Sequence, residues 1–190
     1  MSDRKYIIFD LDGTLVDSFS TVMTACKRVF EEYAPSAMPA DSWMESWRRR
    51  NLEPMFAELA VKAGMTVDCF RQAYDDAYAS DSVTGTSVMA EQYAILTSAR
   101  EKGIGIVVLT NKRQQLAEDV CRWLFCDKEI DVVIGRQGTA PIKPRPVMVE
   151  RLNACGIDPA RQCLCYYGDT DIDRRSAALL KVKYVNILKQ

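Results

Sequence analysis

The sequence has 190 residues, of which 48% are hydrophobic and 27% are charged, a composition typical of one globular domain, with or without a small insert, rather than of a disordered chain. Its 25 basic and 26 acidic residues leave a net charge of −1, and no apolar segment approaches the ~18 residues of a membrane span, so we expect neither nucleic acid nor a membrane as a partner. The chain has no histidine, which excludes Ser-His-Asp triads, Cys-His dyads and histidine zinc sites and leaves oxygen or thiolate groups as ligands for any metal.

The first predicted element is a short buried strand at residues 5–10, which ends in a carboxylate and turns at Gly13. Between about residues 20 and 78, runs of helix-forming residues are interrupted by prolines and a glycine, which predicts three or four helices and no strand. We expect Asp41 and Asp68 to cap two of these helices.

A small polar segment at residues 81–87 predicts a linker back to the main body, after which helices and strands alternate. The predicted strands cover residues 104–110, 132–134, 163–168 and 183–187, and the helices between them cover residues 89–96, 116–124, 144–155 and 171–180. This alternation predicts an α/β fold with a Rossmann-like parallel sheet and helices on both faces.

The seven cysteines show no CxxC spacing, which favours free thiols in a reducing cytoplasm. Cys163 and Cys165 occupy alternate positions of one predicted strand. We therefore expect both on one face of that strand, as small buried hydrophobic residues.

Polar side chains follow the ends of the predicted strands, where open parallel sheets bind their ligands. In chain order these residues are Asp10, Asp12, Thr110, Asn111, Lys143, Asp169 and Asp173. Each alone has a simpler interpretation, such as a solvated turn, an exposed lysine or a helix N-terminus. Their joint order along alternating strands favours one site at one edge of the sheet.

These residue types indicate phosphoryl transfer. Carboxylates without histidine suit Mg²⁺, and Asp10 with Asp169 would suffice as protein ligands. Asp10 can also act as a nucleophile that forms an aspartyl-phosphate intermediate. Asp12 can protonate the leaving alcohol and then activate the water that cleaves the intermediate. Thr110 and Lys143 can stabilise the charge of the phosphoryl group.

Four segments resemble the motifs of the haloacid dehalogenase-like (HAD) hydrolase superfamily, in particular its phosphoglycolate phosphatase-like branch. They are FDLDGTLVDS at 9–18, LTN at 109–111, KPRP at 143–146 and GDTDID at 168–173. The resemblance implies the same roles as above and adds two metal contacts, the backbone carbonyl of Asp12 and a metal-bound water held by Asp173. We expect Thr110, Asn111 and Lys143 to bind the substrate phosphate.

The resemblance also implies two domains, a HAD core at residues 1–17 and 84–190 and an inserted helical cap at residues 18–83. Such a cap closes over the site, excludes water and sets substrate specificity.

Within the predicted cap, the arginines at residues 48–50 are candidates for contacts with a substrate anion, although charge runs usually form solvated faces. We expect Trp43 and Trp47 in the core of the cap, with a place in the wall of the substrate site as the alternative. Near the end of the chain, the last helix runs into Lys181 without the glycine that many relatives have before the final strand.

The sequence therefore predicts a cytoplasmic, Mg²⁺-dependent phosphatase, a monomer or homodimer, that acts on a small phosphorylated metabolite. A hexose-phosphate mutase of the same superfamily and a non-catalytic phosphate-binding protein remain alternatives. A true dehalogenase is disfavoured because displacing a halide needs no proton from Asp12. A receiver-like signalling domain would carry its acceptor aspartate on a later strand and would lack a helical insert of this size.

Overall fold

The computed structural model describes residues 4–48, 50–80, 85–125 and 129–189. The chain divides into two compact units. The sheet unit combines Met1–Asp17 with Ser87–Gln190, and the helical unit is the intervening segment Ser18–Thr86. Among the described residues, no helix combines the length and the apolar character that a membrane crossing requires.

The helical unit contains four α-helices and no strand over its described residues, which confirms the prediction of three or four helices. They are α1 (Phe19–Tyr33), α2 (Asp41–Glu45), α3 (Glu53–Lys62) and α4 (Val67–Ala79), with a 3-10 turn at Pro35–Ala37. Their apolar faces meet in an aromatic cluster, in which Phe30 packs against Phe70 and Phe56 against Tyr74 at centroid distances of 6.0 and 4.7 Å. Burial of these rings supplies much of the hydrophobic stabilisation of the unit.

The two predicted helix caps are wrong. Helix α2 begins at Asp41 itself, and the carboxylate of this residue pairs with Lys27 at 2.8 Å. Helix α4 is capped by Thr66, whose hydroxyl oxygen accepts a hydrogen bond from the Cys69 N–H at 3.2 Å, so that Asp68 lies in the first turn. Both aspartates still place negative charge at the positive end of a helix dipole.

The tryptophan pair lies at the surface of the helical unit. Trp43 and Trp47 contact each other edge to face with ring centroids 6.0 Å apart, and both are half-buried. Helix α2 ends at Glu45, and Met44 is the buried residue of this segment. The prediction that both tryptophans lie in the core is therefore wrong.

The arginine run is described in part, because Arg49 lies outside the described residues. Arg48 pairs with Glu45, and its guanidinium group lies 4.6 Å from the centre of the Phe19 ring. Arg50 is exposed. Arg48 thus has partners within the helical unit, and a role of this run in binding a substrate anion stays a prediction.

The sheet unit contains a five-stranded parallel sheet and a two-stranded antiparallel sheet over its described residues. Its strands are β1 (Tyr6–Phe9), β2 (Val16–Asp17), β3 (Ser87–Val88), β4 (Gly105–Arg113), β5 (Val132–Arg136), β6 (Cys163–Gly168) and β7 (Lys183–Asn186). Its helices are α5 (Ala90–Glu101), α6 (Gln114–Leu124), α7 (Val147–Ala154), α8 (Pro159–Gln162) and α9 (Asp171–Leu180), and a 3-10 turn follows at Ile187–Lys189. The parallel sheet has the order β5-β4-β1-β6-β7, which confirms the predicted α/β, Rossmann-like fold.

Alternate residues of the central strand β1 point into two hydrophobic cores, one on each face of the sheet. Ile7 and Phe9 lie in one core with Ile106 of β4 and residues of α5 and α6. Ile8 lies in the other core with Val107 of β4 and residues of α7 and α9. Because both faces of β1 are covered, the residue that follows it reaches a buried position at the carboxyl edge of the sheet.

Of the linker predicted at residues 81–87, residues 81–84 lie outside the described residues. Ser87 belongs to β3, which pairs with β2 in antiparallel register, with Val16 opposite Val88 and Asp17 opposite Ser87. The two chain segments that lead into and out of the helical unit are therefore hydrogen-bonded to each other.

Two helix ends are explained by backbone geometry. Helix α7 begins at Val147 and not at the predicted Pro144, and Pro146 is its N-cap. Arg145 precedes a proline, which disfavours helical backbone at that residue. Helix α9 ends at Leu180, and its C-cap Lys181 has a left-handed φ of 58° at the point where the sequence lacks the glycine of many relatives.

A bulge separates the two cysteines of β6. Tyr6 of β1 lies opposite Cys163 but the next residue, Ile7, lies opposite Cys165, so Leu164 is an extra residue in the ladder. Cys165 packs against the core that contains Ile7, and Cys163 packs against the other core. The prediction that both thiols share one face is therefore wrong, because strict alternation holds only in an unbroken ladder.

Candidate active site

Three adjacent strands bring the predicted site residues to one edge of the sheet. Strand β1 leads into Asp10 and Asp12, β4 carries Thr110, and β6 leads into Asp169. Because β4 and β6 flank β1, these side chains emerge next to one another. The backbone N–H of Asp10 donates to the carbonyl oxygen of Tyr167 at 2.9 Å, so the ladder between β1 and β6 continues to Asp10 itself.

Three carboxylates converge at this edge. One oxygen from each of Asp10, Asp169 and Asp173 lies within 4.8 Å of the other two, a spacing at which they could share one metal ion. All three are almost fully buried. The carboxylate of Asp12 is not in this cluster, which leaves the backbone carbonyl implied by the resemblance as its only predicted contact with a metal.

Lys143 reaches the cluster from the loop after β5. Its Nζ donates to Asp10 Oδ1 at 2.5 Å and to Asp173 Oδ1 at 2.7 Å, and its side chain is buried with theirs. The structure thus brings a residue far away in sequence into direct contact with the predicted nucleophile.

Burial controls the ionisation of the cluster. It raises the pKa of Asp10 well above its usual range, although Lys143 acts in the opposite direction. Burial and the neighbouring charge of Asp173 raise the pKa of Asp169 to about 7. The pKa of Asp173 is lowered despite its burial, because Lys143 and Thr170 donate hydrogen bonds to its carboxylate. Asp10 and Asp169 therefore resist ionisation in the free protein, and a bound cation would favour their charged forms.

Asp169 fits a metal ligand particularly well. Its Oδ1 is buried and has no hydrogen-bond partner among the described residues, a costly state that a bound cation would relieve. Gly13 has a φ of +82° and packs so closely that a Cβ there would lie 2.5 Å from Asp169 Oδ2. The glycine of the first motif thus makes room for the second carboxylate, and the three carboxylates together fit a hard cation such as Mg²⁺.

The N-terminus of α9 fixes Asp173. Thr170 is the N-cap, and its hydroxyl and N–H both donate to Asp173 Oδ2, at 2.5 and 3.1 Å. A Cβ on Gly168 would lie 2.4 Å from the Cβ of Asp173, so only glycine allows this approach. The buried hydroxyl of Tyr166 donates to Asp173 Oδ1 at 3.1 Å.

Thr110 and Asn111 have different surroundings. The hydroxyl oxygen of Thr110 accepts a hydrogen bond from the Lys112 N–H at 3.1 Å and is buried beside the cluster. The Oδ1 of Asn111 accepts a hydrogen bond from the backbone N–H of Lys143 at 2.8 Å. Asn111 therefore anchors the loop that carries Lys143, and its predicted contact with the phosphate stays a prediction.

Sequence reasoning missed three residues at this site. Lys112 pairs with Asp12, with Nζ 2.9 Å from Oδ1. Tyr166 bonds to Asp173 as above, and the hydroxyl of Tyr184 on β7 donates to the carbonyls on either side of Asp169, those of residues 168 and 170, at 3.1 and 3.3 Å. Lys112 directly follows the second motif and could have been found there, whereas the tyrosines lie in apolar strands and gave no signal.

Comparison with known proteins identifies the family. A profile of haloacid dehalogenase-like hydrolases matches residues 7–187. The phosphoglycolate phosphatase of Aquifex aeolicus is 26% identical over 179 residues, which cover 89% of this chain and 78% of the relative. A protein from Caldanaerobacter subterraneus, whose name provisionally assigns it pyrophosphatase activity, is 24% identical over 181 residues, 95% of this chain and 80% of the relative.

The fold agrees. The structure of a haloacid dehalogenase-like family protein from Streptococcus pneumoniae superposes with a TM-score of 0.77 at 23% identity, over 98% of this chain and 85% of that one. The matched profile spans the strands and loops that carry all the predicted site residues. The chain therefore belongs to the haloacid dehalogenase-like hydrolase family and is an enzyme of the phosphatase type within it.

Proposed function

We propose that this enzyme is a Mg²⁺-dependent phosphatase that hydrolyses a small phosphate monoester through a phosphorylated Asp10. The observation that carries this proposal is the contact between Lys143 and Asp10 inside a buried cluster of three carboxylates. A nucleophile, a neutralising cation and a set of hard oxygen ligands thus occupy one small volume.

The metal would be held by the side chains of Asp10 and Asp169, by the backbone carbonyl of Asp12 and, through water, by Asp173. When bound, Mg²⁺ would offset the negative charge of the phosphate and of the carboxylates. Asp169 Oδ1 supports this assignment, because it offers the ion a buried carboxylate oxygen that has no hydrogen-bond partner among the described residues.

Asp10 attacks the phosphorus, and the bond from phosphorus to the leaving oxygen breaks as the new bond forms. Lys143 and Thr110 offset the charge on the phosphoryl oxygens. Asp12 donates its proton to the leaving oxygen. In the second step Asp12 takes a proton from water as the water oxygen bonds to phosphorus, which releases inorganic phosphate and restores Asp10.

The substrate class follows from the relatives and not from the site alone. A phosphoglycolate phosphatase is among the relatives, so 2-phosphoglycolate is the first substrate to test. Pyrophosphate belongs in the same panel because of the name of the second relative. The role of the helical unit as a specificity-setting cap stays a prediction. A cytoplasmic location also stays a prediction, which the six free thiols among the described residues favour.

The test is phosphate release from p-nitrophenyl phosphate and a panel of small esters, with and without Mg²⁺. Asp10→Asn is the test variant, and Asp119→Asn is its matched control, since Asp119 lies on α6 in a surface ion pair with Arg122. We expect turnover that requires Mg²⁺, persists in the control and is lost in Asp10→Asn. A folded wild-type protein that binds Mg²⁺ but releases no phosphate from any ester would contradict the proposal and favour a non-catalytic role.

A further inference from the structure

Two lysines in the described part of the candidate site pair with different carboxylates. Lys143 contacts Asp10 and Asp173, whereas Lys112 contacts Asp12, with Nζ 2.9 Å from Oδ1. The predicted nucleophile and the predicted acid/base thus contact different lysines.

The backbone of Lys112 makes close contacts with its neighbours. Its N–H donates to the hydroxyl oxygen of Thr110, and a Cβ added to Gly135 of the neighbouring strand would lie 2.7 Å from its carbonyl oxygen. The Lys112 side chain is only 5% exposed, compared with 25% for that of Asp12. A buried lysine at the end of β4 therefore contacts a carboxylate that is partly exposed to solvent, unlike a usual surface pair, in which both groups are exposed.

The Asp12 carboxylate lies outside the cluster of Asp10, Asp169 and Asp173. Its ion pair with Lys112 is therefore a separate contact from those that Lys143 makes with the cluster. Proton transfer requires the donor within hydrogen-bond reach of the leaving oxygen, and a misplaced carboxyl group loses much of its effect.

We propose that Lys112 is a positioning residue, which holds the carboxyl group of Asp12 where it can exchange a proton with the leaving oxygen and then with water. This inference rests on the proposed phosphatase function. It assigns to Lys112 no contact with the phosphate, which distinguishes it from Lys143.

Comparing two substrates with different leaving groups can distinguish a positioning role of Lys112 from a general structural role. p-Nitrophenolate departs without a proton, so the first step with p-nitrophenyl phosphate does not depend on Asp12, whereas an alkyl phosphate such as glycerol 3-phosphate needs its proton. In Lys112→Met we expect the single-turnover rate for the alkyl ester to fall about 10- to 100-fold, and the rate of the first p-nitrophenol release to change by less than about threefold. Lys112→Arg should recover most of the alkyl rate.

Two control experiments accompany the Lys112→Met measurements. Lys183→Met removes an exposed lysine of β7 and should leave both rates unchanged. In an Asp12→Asn background, Lys112→Met should cause no further loss with the alkyl ester, because residues that act as a unit are not additive. Equal losses on both esters, or no loss on either, in a folded Lys112→Met variant would overturn this role alone. A wild-type protein that turns over neither ester would overturn the phosphatase function and this role with it.

Discussion

Lys143 contacts the cluster of buried carboxylates, and replacing it with methionine tests whether its charge stabilises that cluster. The substitution keeps a long apolar side chain but leaves Asp10 and Asp173 without the ammonium group that lies 2.5 and 2.7 Å from their oxygens. Removing one partner of a buried ion pair typically costs about 3–5 kcal/mol, out of a total stability of about 5–15 kcal/mol. We expect Lys143→Met to fold but to lose a large part of its free energy of unfolding.

The loss should depend on pH with a defined sign. Without Lys143, the folded-state pKa of Asp10 moves further above the unfolded value of about 4, and that of Asp173, which Lys143 helps to hold below its usual value, rises. A carboxyl group whose folded pKa is raised loses stability as the pH rises from its unfolded pKa through its folded pKa. The deficit of the variant should therefore be small near pH 4 and largest at about pH 8.

Mg²⁺ should restore part of the lost stability, because it supplies positive charge to the same carboxylates. At a concentration 100 times its Kd, a ligand adds about 2.7 kcal/mol. The assay is urea unfolding followed by circular dichroism at both pH values, with and without Mg²⁺, for wild type, Lys143→Met and the exposed-lysine control Lys183→Met. A variant as stable as wild type near pH 8, or one that loses more stability near pH 4, would refute the reasoning.

Four further substitutions probe the supports of the site. Tyr184→Phe removes the hydroxyl group that bonds to the carbonyls on either side of Asp169, and should weaken Mg²⁺ binding about 10- to 100-fold in a calorimetric titration. The control Tyr93→Phe, which removes a hydroxyl group bonded to Glu129, should leave Mg²⁺ binding unchanged. Gly13→Ala forces a Cβ to 2.5 Å from an Asp169 oxygen at a φ of +82°, and should cost about 2–3 kcal/mol in urea unfolding and abolish Mg²⁺ binding; normal binding would disprove the close packing. Asp169→Asn removes a carboxyl whose pKa is raised to about 7, so in the absence of Mg²⁺ the variant should be about 1–3 kcal/mol more stable than wild type near pH 8 and show no gain below about pH 4. Lys181→Gly relieves a φ of 58° and should raise the Tm by a few degrees, about 1 kcal/mol, in a thermal melt; a lower Tm would mean that the left-handed residue is not strained.

The core of the site could be predicted because it follows from topology. A buried strand that ends in a carboxylate must release that carboxylate at the edge of the sheet, and adjacent parallel strands release theirs at the same edge. Asp10 and Asp169 could therefore be paired from sequence although they are far apart along the chain. The sequence also placed Lys143 at this edge, but its contacts with Asp10 and Asp173 required the structure, because the side chain of a loop residue can point either way.

The errors arise where a local irregularity breaks a periodic rule. Because of the bulge in β6, Cys163 and Cys165 lie on opposite faces of the sheet. The pattern of apolar residues in the sequence does not predict this bulge. Two helix caps were misassigned by one or two residues: α2 begins after Ala40, which makes no side-chain capping bond, and Thr66 rather than Asp68 caps α4. Tyr166 and Tyr184 were missed because their rings look like core and only their hydroxyl groups reach the site.

The support of the site by several unrelated residues argues against a purely structural ion pair. A lysine and two aspartates could satisfy one another in a protein core, but burying them would cost about as much as their attraction returns. This site contains a third carboxylate, that of Asp169, and one of its oxygens has no partner among the described residues. The Asp169 side chain packs so closely against Gly13 that a side chain at residue 13 would clash with it. Such an arrangement costs stability in the free protein, and a bound cation would offset that cost. The destabilised cluster is therefore best explained as a site that is kept for metal-assisted chemistry at the expense of stability.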